Sequence, residues 1–295
     1  RPLRTSATVT VNVAVGGDIQ AAIDGLNRYT FEGAALGIVQ LAAGIHTLPN
    51  ANALTCNHPQ GGTGRIVLRG AAAPAAMTLA DFVGGKAADQ ATLRAKFSTT
   101  IVCPGNALSQ TALGGMLVEN LNFEGADATK LGCYVDGAGR LVRLGTVAFS
   151  GFQYALRPYY GGSIAQGSTA AKAWGLHNTN NIGMMYSSLV MTVAGLYPTG
   201  SNAILDIASR WPSPGSSEFV GGYYCLSMTR GATFAGGLAT LKNWSSSGIS
   251  MTWASRVHIS TPLTISSPAG SYVAYVGSGS RLTIEQAVAL NAADP

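Results

Sequence analysis

Charge is what this chain has least of. Of its 295 residues only 11% are Asp, Glu, Lys or Arg, and 13 are acidic. The 18 lysines and arginines leave a net charge of +5, but they are scattered singly and are not interleaved with aromatics. There is no basic stripe to follow a phosphate backbone, so no nucleic-acid partner is expected. Long apolar runs are missing as well. The chain is 47% hydrophobic with a mean hydropathy of +0.23, yet no segment approaches the roughly 20 uninterrupted apolar residues of a membrane helix, and no membrane insertion is expected.

Cysteine is confined to Cys56, Cys103, Cys133 and Cys225, without a Cys-x-x-Cys pair or a histidine at ligand spacing. That pattern offers neither a zinc site nor a redox motif, and it points to buried thiols packing as small apolar residues. The histidines His46, His58, His177 and His258 lie far apart. Gly-x-Ser-x-Gly, His-Glu-x-x-His and Gly-x-x-x-x-Gly-Lys are absent, and Gly137-Ala138-Gly139 lacks the third glycine of a dinucleotide loop. No metal site and no cofactor is expected. The opening Arg1-Pro2-Leu3, without Met or an apolar signal core, is what a processed chain or the ordered part of a longer one shows.

What the chain does have is 38 glycines and a succession of short β-type runs. Ile38-Val39-Gln40-Leu41, Ile66-Val67-Leu68, Met116-Leu117-Val118 and Gly145-Thr146-Val147-Ala148-Phe149 recur with Gly, Ser or Asn between them. Leu121-Asn122-Phe123-Glu124-Gly125 and Val147-Ala148-Phe149-Ser150-Gly151 match as apolar-x-Phe-x-Gly at a separation of 26 residues. A repeat of that size holds three short strands and three turns, one coil of a parallel β-solenoid with its phenylalanines stacked inward. Such a coil explains the scarcity of charge. Its backbone pairs along the axis, its interior is apolar, and its corners call for Gly, Asn and Ser.

The expected fold is therefore all-β, a right-handed parallel β-helix with a short N-terminal capping helix and a helical insertion. Residues 1–37 form the N-terminal strand and cap: Val9, Val11, Val13 and Val15 alternate as in a strand, and Asp18 is placed to cap a helix carrying Ile19, Ala22, Ile23 and Leu26. Residues 38–284 are the coil. Within it, the Ala-rich segments Ala75 to Phe82 and Ala87 to Phe97 mark an insertion over 71–97 that projects from the rungs. Residues 285–295 form a C-terminal cap or tail, with a helical end cap expected over Ile284 to Leu290.

The segment Gly17-Asp18-Ile19-Gln20-Ala21-Ala22-Ile23-Asp24, followed by Val39-Gln40-Leu41-Ala42-Ala43-Gly44-Ile45-His46, resembles the opening of pectate-lyase-like right-handed β-helix proteins. Asn57-His58-Pro59-Gln60-Gly61 and Arg65-Ile66-Val67-Leu68-Arg69-Gly70 are similar to bacteriophage tail-fibre and tailspike members of that superfamily. The likeness covers roughly the first seventy residues well and the rest by texture. It implies a homotrimer on the virion surface, attached to other virion tail proteins and facing a host cell-surface polysaccharide. The chain departs from the polysaccharide lyases in having no cluster of calcium-binding Asp residues followed by a catalytic Arg.

Two site chemistries follow from the residues themselves. Glycoside hydrolysis needs a protonated and an ionised carboxyl group, and Glu119, Glu124, Asp127 and Asp136 concentrate in one rung, which makes them the hydrolase candidates. Glycan binding needs aromatic faces beside hydrogen-bonding groups. Arg157, Tyr159 and Tyr160, then Trp174 with His177, then Tyr223 and Tyr224, lie next to turns where side chains face outward. The leading expectation is an adhesin for a host polysaccharide; its rivals are a depolymerase using a carboxylate pair and a structural spacer.

Overall fold

The structure, a computed structural model, describes residues 2–77, 81, 86–137, 139–159, 162–166, 173–176, 184–186, 204–206, 217–220, 224–228, 233–236, 238–242, 244, 246–259, 262–266, 270–285 and 287–291. They form an all-β parallel solenoid of about seven complete turns. Each complete turn lays one strand on each of three faces.

The first face is a single ten-stranded sheet, running from Val9–Val13 and Gly37–Leu41 through Gly114–Glu119 and Arg140–Leu144 to Arg256–Ile259 and Arg281–Ile284. The second face carries Gly44–Thr47, Thr99–Cys103, Leu121–Gly125, Val147–Ser150 and Ala173–Leu176. A separate sheet begins with Met184–Tyr186, which pairs antiparallel with Ser217–Val220, and runs on through Leu238–Lys242 and Leu263–Ser266 to Val288–Asn291. The third face holds Leu108–Gln110, Leu131–Asp136 and Tyr154–Tyr159, and in the later turns Tyr224–Met228, Ser247–Met251 and Tyr272–Val276.

Register explains why the sequence repeats. Leu121 lies on Val147 and Phe123 on Phe149, the 26-residue match seen in the sequence. The two rings stack at 5.1 Å with planes 9° apart, and Phe152 meets Phe149 edge-on at 6.3 Å. On the first face Val39, Leu68 and Val118 form one inward column, all at or below 1% exposure. Full burial of such a side chain is worth about 1.5–3 kcal/mol, so a polar residue at any of these positions would be costly. Where the rungs close on one another, glycine is obligatory for a steric reason. A Cβ on Gly115 would overlap the Leu141 carbonyl of the next turn, and one on Gly70 the Asn120 carbonyl.

The N-terminal helix forms as expected. Helix α1 (Ile19–Gly25) is capped by Asp18, whose Oδ1 accepts from the Ala21 N–H at 2.9 Å. Its Ile19 and Ile23, followed by Leu26, fill the coil interior beside Val9–Val13, in the place that strands occupy in later turns.

Two expectations are corrected. Helix α2 (Lys86–Lys96) matches the predicted Ala87 to Phe97 segment, but it lies on the outside of the second face and does not project: Arg94 is bonded to Glu124 and Gln90 to Ser150. The partner segment Ala75 to Phe82 falls partly outside the described residues, and Ala75 to Met77 is not helical. The C-terminal helix is absent. Arg281–Ile284 and Val288–Asn291 are strands, because their parallel pairing with Arg256–Ile259 and Leu263–Ser266 satisfies the backbone in register, which outweighs the helix propensity of Glu, Gln, Ala and Leu.

Candidate carbohydrate-binding face

A turn of the coil goes round the whole molecule, so residues near in sequence separate. The four carboxylates expected to work together are spread over three faces. Glu119 ends a first-face strand and is bonded by Arg69 Nε. Glu124 sits on the second face beneath α2, 3% exposed. Arg94 grips it bidentately at 2.6 to 3.0 Å, and Asn122 Nδ2 donates to its Oε1 at 3.1 Å. Asp127 belongs to the following corner. It accepts from the Thr129 N–H and hydroxyl, each at 2.8 Å, and with Lys130 nearby these bonds, the backbone one foremost, hold its carboxyl below the ordinary range. A group held ionised in this way is a poor proton donor.

Asp136 stands apart from these, at the end of the third-face strand Leu131–Asp136, where it accepts a hydrogen bond from Tyr134 Oη at 3.0 Å. Arg157 lies in the next turn directly opposite Tyr134, its guanidinium carbon 5.8 Å from the ring centroid, a cation–π geometry. Tyr159 occupies the position opposite Asp136. The third face thus brings Asp136, Arg157 and Tyr159 to one strip, with Tyr134 as a member that composition near turns had not flagged.

Two of the other expected aromatics have register positions elsewhere. Trp174 pairs with Ala148 on the second face, and Tyr224 is opposite Ser247, on the third face but in the later turns. Tyr160, His177 and Tyr223 lie outside the described residues, as do the side chains of Tyr159, Trp174 and Tyr224.

Toward the N-terminus the strip continues. Ser109 is opposite Tyr134, and the Ser109 N–H donates to Leu54 O at 2.9 Å, which sets Thr55 beside it in the preceding turn. Thr55, Ser109, Tyr134 and Arg157 therefore climb four successive turns, about 4.8 Å apart. Here the face is walled by α1. Gln20 reaches across to the Thr55 backbone with two hydrogen bonds, both 3.0 Å, while also donating to Asp24 at 3.0 Å.

Between helix and rungs lies an open trough of about 500 Å³ whose lining is Gln20, Asp24, Ala51, Asn52, Ala53, Thr55, Asn57, Asn106, Ser109 and Thr111. A smaller recess of about 240 Å³ adjoins it, sharing Gln20, Asn52 and Ala53. Amides and hydroxyls of this density, with one carboxylate, make donors and acceptors suited to sugar hydroxyls. The signal available in the sequence was the crowding of Asn, Thr and Ser in 50–57 and 106–111.

No group of three or more His, Cys, Asp or Glu able to hold a metal occurs among the described residues, and no helix among them is long and apolar enough to cross a membrane. No family model, no curated protein sequence and no solved structure matches this chain.

Proposed function

We propose that this chain is a glycan-binding solenoid of the tail-fibre or tailspike type, a homotrimeric adhesin on the virion surface that joins other tail proteins and takes a host cell-surface polysaccharide along its third face. The observation that carries this reading is the uninterrupted outward ladder of Thr55, Ser109, Tyr134 and Arg157 beside the polar trough. A phenol and a guanidinium on successive rungs, beside amides and hydroxyls, combine the apolar contact and the hydrogen-bond donors that a pyranose ring uses.

A hydrolytic role is the weaker reading, because Glu124 is committed to Arg94 and Asp127 to its own turn. The test is a panel of bacterial capsular and O-antigen polysaccharides, scored for binding and for polymer length. Tyr134→Ala and Arg157→Gln are each expected to weaken binding about tenfold, about 1.4 kcal/mol, while circular dichroism shows the fold retained. Shortened polymer would make the protein an enzyme. No binding across the panel would favour a rigid spacer.

A further inference from the structure

The corner between the third and first faces in the last turns carries exposed side chains that the third-face strip does not use. Trp253 is 66% exposed and its backbone is left-handed, φ 57°, a conformation seldom adopted by a bulky residue. Bonds between rungs hold it there. The Ala254 N–H donates to Ser278 O at 2.8 Å, the Gly277 N–H to Met251 O at 2.9 Å and the Arg281 N–H to Ser255 O at 2.9 Å. In the next turn Tyr275 is 54% exposed and its ring lies over Gly277, where an added Cβ would meet ring atoms at 3.3 to 3.4 Å. An indole at the corner and a phenol near the adjoining end of the third-face strand Tyr272–Val276 are thus presented on successive rungs.

Beside them Arg256 and Arg281 are directly opposite in parallel register, both exposed. Their strands are about 4.8 Å apart, and like charges in that relation destabilise a sheet. Among the described residues nothing offsets it. Glu285 is occupied by His258 at 2.8 Å, and among the described residues neither arginine has an ion-pair partner. The positive column ends there, since Thr233 and Ile204 hold the two preceding register positions. A nucleic acid, charged at every nucleotide, calls for a longer track of cations. Two guanidinium forks beside two rings match a single anionic group on a single flat ring.

We infer that this corner is a second saccharide subsite, selective for a sugar bearing a carboxylate or a sulfate: Arg256 and Arg281 clamp the anionic group while Trp253 and Tyr275 stack on the ring. The inference rests on the polysaccharide reading above for the choice of a sugar as occupant, but its residues are independent of the third-face strip.

Affinity electrophoresis of the whole chain through alginate, dextran sulfate and uncharged dextran tests it, with circular dichroism to confirm that each variant is folded. The wild type is expected to be retarded by at least one acidic polymer, and preference between the two identifies carboxylate or sulfate. R256Q/R281Q is expected to lose about tenfold or more of that affinity with no change toward dextran. R256K/R281K, which keeps the charge without the planar fork, falls between, and W253A weakens binding while leaving its salt dependence intact.

Wild-type affinity in R256Q/R281Q overturns the inference, as does absence of wild-type binding to both acidic polymers. So does equal retardation by an oligothymidylate that the same variant abolishes. Binding that survives R256Q/R281Q but is lost in Tyr134→Ala sinks the corner and leaves the third face standing; the reverse result sinks the third face alone.

Discussion

Removing Arg94 tests whether Glu124 is a structural anchor or a held-back catalyst. Glu124 is 4% exposed at its side chain and receives three hydrogen bonds from Arg94, at 2.6, 2.8 and 3.0 Å, plus one from Asn122 at 3.1 Å. Arg94→Ala leaves a buried carboxylate with the Asn122 amide alone. Cutting a fully buried pair costs about 3–5 kcal/mol, but Arg94 is 47% exposed and solvent screens its share, so the expected loss is about 2 kcal/mol. Because α2 is tied to the coil by the Arg94–Glu124 and Gln90–Ser150 bonds as well as by buried Leu93, that loss should first appear as local release of the helix. The assay is urea unfolding together with limited proteolysis in 86–96, on Arg94→Ala, Glu124→Gln and the double variant. The double is expected to be less destabilised than the sum of the singles by about 1–2 kcal/mol, since it leaves no unpaired buried charge. Strict additivity would refute the account of α2 docking.

Two further outcomes follow from the interior. Phe149→Ala opens a void between Phe123 and Phe152 and is expected to cost about 3–5 kcal/mol in chemical denaturation, whereas a loss under 1 kcal/mol would mean the stack is not packed. His58, 1% exposed, accepts from the Gln60 N–H through Nδ1 at 3.0 Å and faces Tyr29 O through Nε2 at 3.0 Å, an arrangement that requires the neutral ring. Burial, only partly opposed by the Tyr29 carbonyl, lowers its pKa below 6.5. The unfolded chain then binds the proton first, so stability should fall as pH drops through 6.5 toward the folded value, and His58→Gln should flatten that segment of the pH–stability curve.

The coil was legible because an inward column demands an apolar residue once per turn, and the apolar-x-Phe-x-Gly match reports that demand without any partner being known. The Asp18 cap was legible because it is local. Neither condition holds for the outer faces. Glu119, Glu124, Asp127 and Asp136 look like a cluster in the sequence because they share one rung, yet a rung circles the axis and distributes them over three faces. Conversely Tyr134 and Arg157, Glu124 and Arg94, and Gln20 and Thr55 meet across separations that no short window spans. The mistaken C-terminal helix has the same origin, since local propensity was weighed where pairing with the preceding turn decides.

The same geometry indicates where function can reside. An inward residue is fixed by its neighbours above and below, and an outward residue in mid-strand is free to vary, so a feature that costs stability on the outside calls for a reason other than folding. Left-handed backbone at Asn120, φ 59°, is an ordinary corner, because asparagine tolerates that region. Trp253 adopts nearly the same angle with a large ring left in water, where glycine would close the turn with less strain. Arg256 over Arg281 costs stability in a second way, by charge. Two unfavourable choices at one corner, in a chain that uses charge so sparingly, fit selection by a ligand better than selection by the fold.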